Sequence, residues 1–133
     1  RGAYLNGRRV RVRDTARLEE AFVAFTDARS FEAAGMGGAW RRLTARAYHR
    51  PGWGDAYGHA CVAAGRAEVM IDPVLAPHDA GPFGVILPEA GGWFGDVRGR
   101  HGIHGGSGVS CTRALLPQVM AALNAPDDDA AVS

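Results

Sequence analysis

Asp72 and Asp79 stand seven residues apart, separated by Pro73-Val74-Leu75-Ala76-Pro77-His78. The first follows a strand-like run, Ala67 to Ile71, and the second precedes an apolar stretch with helical spacing. Carboxylates at a strand end and a helix start can aim their oxygens into one crevice. There they suit a hard cation such as Mg2+ or the hydroxyls of a polyol. The residues alone leave alternatives open, since Asp79 also serves as the N-cap of the helix and Asp72 as a solvated turn acid. A second cluster is Arg50-Pro51-Gly52-Trp53-Gly54-Asp55-Ala56-Tyr57-Gly58-His59. Gly54 permits close backbone approach, and the amides after it form a helix start that can receive a hydroxyl or an anion. Asp55 either contacts a cationic ligand group or favours the positive end of the helix. Arg50 pairs with a ligand or with Asp55, or is solvated.

Other chemistries find little support. His49, His59, His101 and His104 form no HExxH pattern and no i, i+4 helical pair, so histidine–metal chemistry is not expected. Gly102 to Gly108 is glycine-rich but lacks the Lys-Ser/Thr of a phosphate-binding loop and the GxGxxG order of a dinucleotide site. Cys61 and Cys111 sit in apolar settings and read as buried free thiols of a reducing, cytoplasmic compartment. Neither Cys61 nor Ser107 lies in a nucleophile elbow. With 15 basic and 14 acidic residues the net charge is +1, which gives no steering toward nucleic acid or an anionic membrane. No apolar run approaches the ~20 residues of a membrane helix.

The elements that must position these acids can be read along the chain. A length of 133 residues, 47% of them hydrophobic, suits one domain with a real core. Asn6-Gly7 between alternating apolar residues predicts a hairpin. A chain that opens on a hairpin without Met reads as the middle of a longer protein. Ala21 to Thr26 predicts a buried strand, and Asp27 or Ser30 caps a helix over Phe31 to Arg46. Ala45 to His49 predicts a further strand, Trp53 to Ala64 a helix ended by Gly65, and Pro82 to Ala90 another helix. Trp93 to Val97 and Val109 to Cys111 are expected strands, with a last helix from about Leu115. Alternating strands and helices predict an α/β layered mixed sheet with helices on both faces, preceded by the N-terminal β-hairpin. The expected division is a hairpin at 1–13, an α/β domain at 14–125 and a disordered acidic tail at 126–133.

The segment from Asp72 to Glu89-Ala90-Gly91-Gly92 resembles the second signature of the inositol monophosphatase family, which includes histidinol-phosphate phosphatases. Gly2-Ala3-Tyr4-Leu5-Asn6-Gly7, Trp53-Gly54-Asp55-Ala56-Tyr57-Gly58 and Gly65-Arg66-Ala67-Glu68 extend the resemblance over nearly the whole chain. Departures are His78 where the family has Trp, Ala56 where it has Cys, and Gly81 and Gly84 where other small residues are usual. The resemblance implies a Mg2+-dependent phosphomonoesterase with Asp79 as a metal ligand. Asp72, Asp55, Gly54 and Arg50 would then form the side that grips a small phosphorylated alcohol, histidinol phosphate favoured. It also implies an absence. Family members are about twice this long, and their N-terminal half supplies a Glu, two Asp and a Thr that hold metals and orient water. The chain therefore resembles the C-terminal half alone. That half is expected to be inactive without its N-terminal half or a second subunit, a homodimer being one arrangement. The alternative is a truncated, non-catalytic binding or interaction domain derived from the family.

Overall fold

A computed structural model describes residues 2–126, so the expected acidic tail at Asp127-Asp128-Asp129 lies outside the described residues. The hairpin signalled by Asn6-Gly7 is present. β1 (Ala3–Leu5) pairs antiparallel with β2 (Arg8–Val10). Both turn residues are left-handed, φ 53° and 79°, as a two-residue hairpin turn of matching twist requires.

Four strands build the main sheet: β3 (Val23–Phe25), β4 (Val69–Asp72), β5 (Trp93–Gly95) and β6 (Gly108–Cys111). Their spatial order is β3-β4-β6-β5, with β3 parallel to β4 and the other two pairs antiparallel. Period-two alternation sorts the side chains into two layers. Val23, Val69, Ile71, Trp93, Val109 and Cys111 face one side, and Ala24, Met70 and Phe94 the other. The first side is covered by α1 (Ala28–Ala33), α2 (Gly37–Arg46) and α5 (Leu116–Asn124), through Phe31, Leu43, Val119 and Leu123. The second is covered by α3 (Asp55–Ala63) and α4 (Pro77–Glu89), through Cys61, Val62, Phe83 and Leu87. Each fully buried large side chain, such as Phe31 or Leu87, contributes about 1.5–3 kcal/mol. The layered mixed sheet with helices on both faces is thus the observed architecture. No helix among the described residues is long and apolar enough to cross a membrane.

Local departures from the expected elements have local causes. The single helix expected over Phe31 to Arg46 is two helices. Asp27 caps α1 by accepting the Arg29 amide, and Gly35, at φ 76°, turns the chain out of it. The strand expected at Ala45 to His49 is absent. Ala45 and Arg46 complete α2, as their helix propensity favours, and only His49 bridges to Phe22. The helix expected from Pro82 begins at Pro77, whose fixed φ suits a first turn, and Pro82 lies inside it. The Glu89-Ala90-Gly91-Gly92 end is explained by packing. Gly91 turns at φ 86°, and a Cβ on Gly92 would fall 2.7 Å from Val12 Cγ1.

Candidate functional site

β3 and β4 run parallel, so their carboxyl ends share one edge of the sheet, and α3 and α4 both begin there. Between them lies a cleft of about 500 Å3, lined among others by Thr26, Asp27, Asp55, His59, Asp72 and Asp79. The two acids that spacing singled out therefore do share a cavity, as does Asp55 from the second cluster.

Asp72 is the last residue of β4, not a turn acid beyond it, and it is buried. A buried carboxylate must be hydrogen-bonded to be tolerated. Its Oδ1 accepts from Thr26 Oγ1 at 2.9 Å, and its Oδ2 lies 2.9 Å from His59 Nε2. The other ring nitrogen of His59, Nδ1, is 2.7 Å from Ser110 Oγ. Thr26 Oγ1 in turn accepts from the Asp55 amide at 2.8 Å. One chain of bonds thus ties β6, α3, β4 and the residue after β3 together at the floor of the cleft.

Asp55 has φ 56°, the left-handed region that costs a non-glycine residue about 1–2 kcal/mol. The bond to Thr26 holds it there with its exposed carboxylate on the cleft wall. Gly54 does not line the cleft. Its role is close approach, since a Cβ there would sit 2.7 Å from Thr26 Cα. Asp79 lies in the first turn of α4 with its side chain 62% exposed. The N-cap is Ala76, and no side chain caps this helix, so the reading of Asp79 as a plain N-cap does not hold. Its carboxylate, 3.6 Å from His78 Nε2, is available to the cleft. Arg50 is elsewhere. Its guanidinium donates to the carbonyls of Thr44 and Ala47 at 3.1 and 3.3 Å, holding the carboxyl end of α2, and it does not line the cleft.

Four residues of the site are not marked as such by the sequence. Asp27 reads there only as a cap, which it is, yet it also lines the cleft. Thr26, His59 and Ser110 carry no spacing signal, because their partners lie 46, 13 and 51 residues away. His59 in particular, which the sequence marks with no motif, is buried against Asp72 and Ser110.

Among the described residues the cleft wall carries four carboxylates, from Asp27, Asp55, Asp72 and Asp79, and neither Lys nor Arg. Such a surface receives cations and hydrogen-bond donors, not a bare anion. The donors fit a hard cation in kind, since Mg2+ takes one or two protein carboxylates with water and phosphate oxygens. They do not close around one: among the described residues no three His, Cys, Asp or Glu side chains are grouped to hold a metal.

The chain is similar to the histidinol-phosphatase of Chlorobaculum parvum, 36% identical over 129 residues, which cover 96% of this chain and 50% of that protein. The histidinol-phosphatase of Mycobacterium tuberculosis is 27% identical over 88% of the chain and 45% of its own length. The chain therefore spans about half the length of the curated relatives it matches. Among solved structures, an inositol monophosphatase from Zymomonas mobilis superposes with a TM-score of 0.81 at 20% identity, over 89% of this chain and 47% of that one. The Thermotoga maritima inositol monophosphatase gives 0.77 at 26% identity, over 92% and 48%. No family model matches the chain. Curated histidinol-phosphatases and solved inositol monophosphatases thus match nearly all of this chain over about half of each counterpart, as a C-terminal half of the inositol monophosphatase family would.

Proposed function

We propose that the chain is the C-terminal part of a Mg2+-dependent phosphomonoesterase acting on a small phosphorylated alcohol, histidinol phosphate first and an inositol phosphate next. The observation that carries this is the charge of the cleft: four carboxylates and, among the described residues, no Lys or Arg on its wall. A phosphate dianion is repelled by such a wall unless metal ions neutralise it. The ammonium and hydroxyl groups of an amino alcohol are attracted to the same carboxylates. Mg2+, when bound, supplies the positive charge the cleft lacks and activates water at neutral pH.

Each residue then has a task suited to its setting. Asp79, exposed at the positive end of α4, offers a hard oxygen to the cation. Asp72, fixed by Thr26 and His59, accepts from the alcohol or amine side of the substrate. Asp55, held in its left-handed conformation, faces the same group across the cleft. The remaining metal-binding carboxylates would come from an N-terminal half or a second subunit, and neither nucleic acid nor membrane enters this reading. Two features support an incomplete fold besides the half-length match. The β1–β2 hairpin is a sheet of only two strands, marginal by itself and open at its edges. Beneath it an apolar groove of about 420 Å3 is lined by Leu5, Tyr57, Val85 and Ile86, all exposed. We place the compartment as cytoplasmic, where Cys61 and Cys111 stay reduced.

The test is reconstitution. The chain is assayed for phosphate release from histidinol phosphate and from inositol 1-phosphate, alone and co-expressed with the N-terminal half of a histidinol-phosphatase. The expected result is negligible release alone and Mg2+-dependent release from the pair, abolished by EDTA and by Asp79→Asn. Clear turnover by the chain alone would overturn the half-site argument. A pair that co-elutes but hydrolyses neither ester would favour a non-catalytic binding domain.

A further inference from the structure

We infer that His59 is the positioning residue of this cleft: a buried Nε2–H donor that locks Asp72 into one orientation as the acceptor for a ligand's hydroxyl or ammonium hydrogen. The inference rests on reading Asp72 as a ligand-gripping group and adds the residue that makes it one.

Ser110, His59 and Asp72 form a Ser-His-Asp series, but its direction is reversed relative to a hydrolytic triad. Here the carboxylate lines the cleft, while Ser110 is fully buried on β6 and is not a lining residue. Ser110 cannot meet a substrate, so the series ends at Asp72 as its working group. The protons follow from the inventory of donors and acceptors. An ionised Asp72 only accepts, so His59 Nε2 must carry hydrogen across the 2.9 Å contact. In the neutral ring Nδ1 is then bare and accepts from the Ser110 hydroxyl at 2.7 Å. In the imidazolium Nδ1 donates to the same oxygen. Both states keep the bond to Asp72, and the opposite neutral tautomer would set two lone pairs against each other. The ring has no room to swing. Phe83 lies 5.0 Å from it, centroid to centroid, and Phe94 5.7 Å at 69°. With Thr26 on Oδ1 and His59 on Oδ2, the carboxylate is held from two sides and its spare lone pairs serve the cleft.

The test is heteronuclear NMR on the full chain, following the His59 ring nitrogens and the Asp72 carboxyl carbon. The expected neutral ring has Nε2 protonated and Nδ1 bare. In His59→Leu the Asp72 carboxyl resonance shifts, and in His59→Gln, whose amide can still donate, it stays near the wild-type position. Methyl resonances of Val62 and Leu87 report whether each variant is folded. With histidinol as the probe, His59→Leu weakens binding about tenfold, equivalent to one hydrogen bond with a charged group, and His59→Gln restores most of it. A ring protonated on Nδ1, or an unmoved Asp72 resonance in folded His59→Leu, overturns the inference, and the ring measurement decides even if a variant does not fold. Wild-type chain that does not bind histidinol, with the ring and carboxyl results as expected, counts against the amino-alcohol reading and leaves the positioning role standing.

Discussion

Replacing Glu68 by Ala is expected to destabilise the fold by about 2–4 kcal/mol, and the structure shows where that figure arises. The Glu68 side chain is 1% exposed. Its Oε1 accepts from the Phe22 amide at 2.7 Å, and its Oε2 from Thr15 Oγ1 at 2.7 Å and from Arg13 Nη1 at 3.2 Å. The backbone bonds of Glu68, its amide to the Phe22 carbonyl and its carbonyl to the Thr112 amide, survive the substitution. The loss is therefore confined to the side chain. Orphaning the Phe22 amide costs about 1–3 kcal/mol. Arg13 is 37% exposed, so water replaces much of its lost partner and the ion pair adds only about 1 kcal/mol. Thr15 can turn its hydroxyl to solvent. Glu68→Gln keeps an acceptor for Phe22 and should lose roughly half as much. Urea unfolding at neutral pH measures both through the midpoint at unchanged m, about 1–2 M lower for the Ala variant. An Ala variant within about 0.5 kcal/mol of wild type would refute the reasoning. So would a Gln variant as unstable as Ala, because the part-buried Phe22 amide's need for an acceptor outweighs the ion pair to the partly exposed Arg13.

Two further outcomes follow from the site and its neighbouring loop. Asp55→Gly relieves the left-handed backbone strain and should raise stability by about 1 kcal/mol while weakening ligand binding; equal or lower stability in urea would deny that Asp55 is strained. Burial alone would push the Asp96 carboxyl up, but bonds from the Arg100 amide and guanidinium and the Arg98 amide outweigh it and hold it below the usual carboxylate value. Its stabilisation is thus fully present above the unfolded carboxylate pKa near 3.9 and is lost as pH falls through the lower folded value. The stability gap between wild type and Asp96→Asn should accordingly be large at neutral pH and shrink below about pH 4. A gap that stays constant down to about pH 3 would mean that the carboxylate does not hold the 96–100 turn.

Local patterns carried much of the architecture. Asn6-Gly7 specifies its hairpin because only left-handed residues match the strand twist, and it does so without help from the rest of the chain. Alternation in Val69-Met70-Ile71 and Val109-Ser110-Cys111 assigns one layer to each parity, and so two covered faces. Asp72 and Asp79 could be paired from spacing because a strand end and the next helix start are neighbours along one edge. The Ala45 to His49 segment misled because short-range propensity cannot distinguish the end of a helix from an edge strand.

Three matters were settled only by tertiary structure. Strand order places β6 beside β4, which no local signal encodes. That placement brings Ser110 to His59 across 51 residues and turns a histidine without motif context into the support of Asp72. Arg50, four residues from Gly54 in sequence, is drawn to the carbonyls at the end of α2 and away from the cleft. Sequence determined which acids could act together, because strand–helix adjacency and turn chemistry are local. Only the folded chain decided which of them are held, by what, and facing where, because those bonds join segments that meet only when the sheet closes its core.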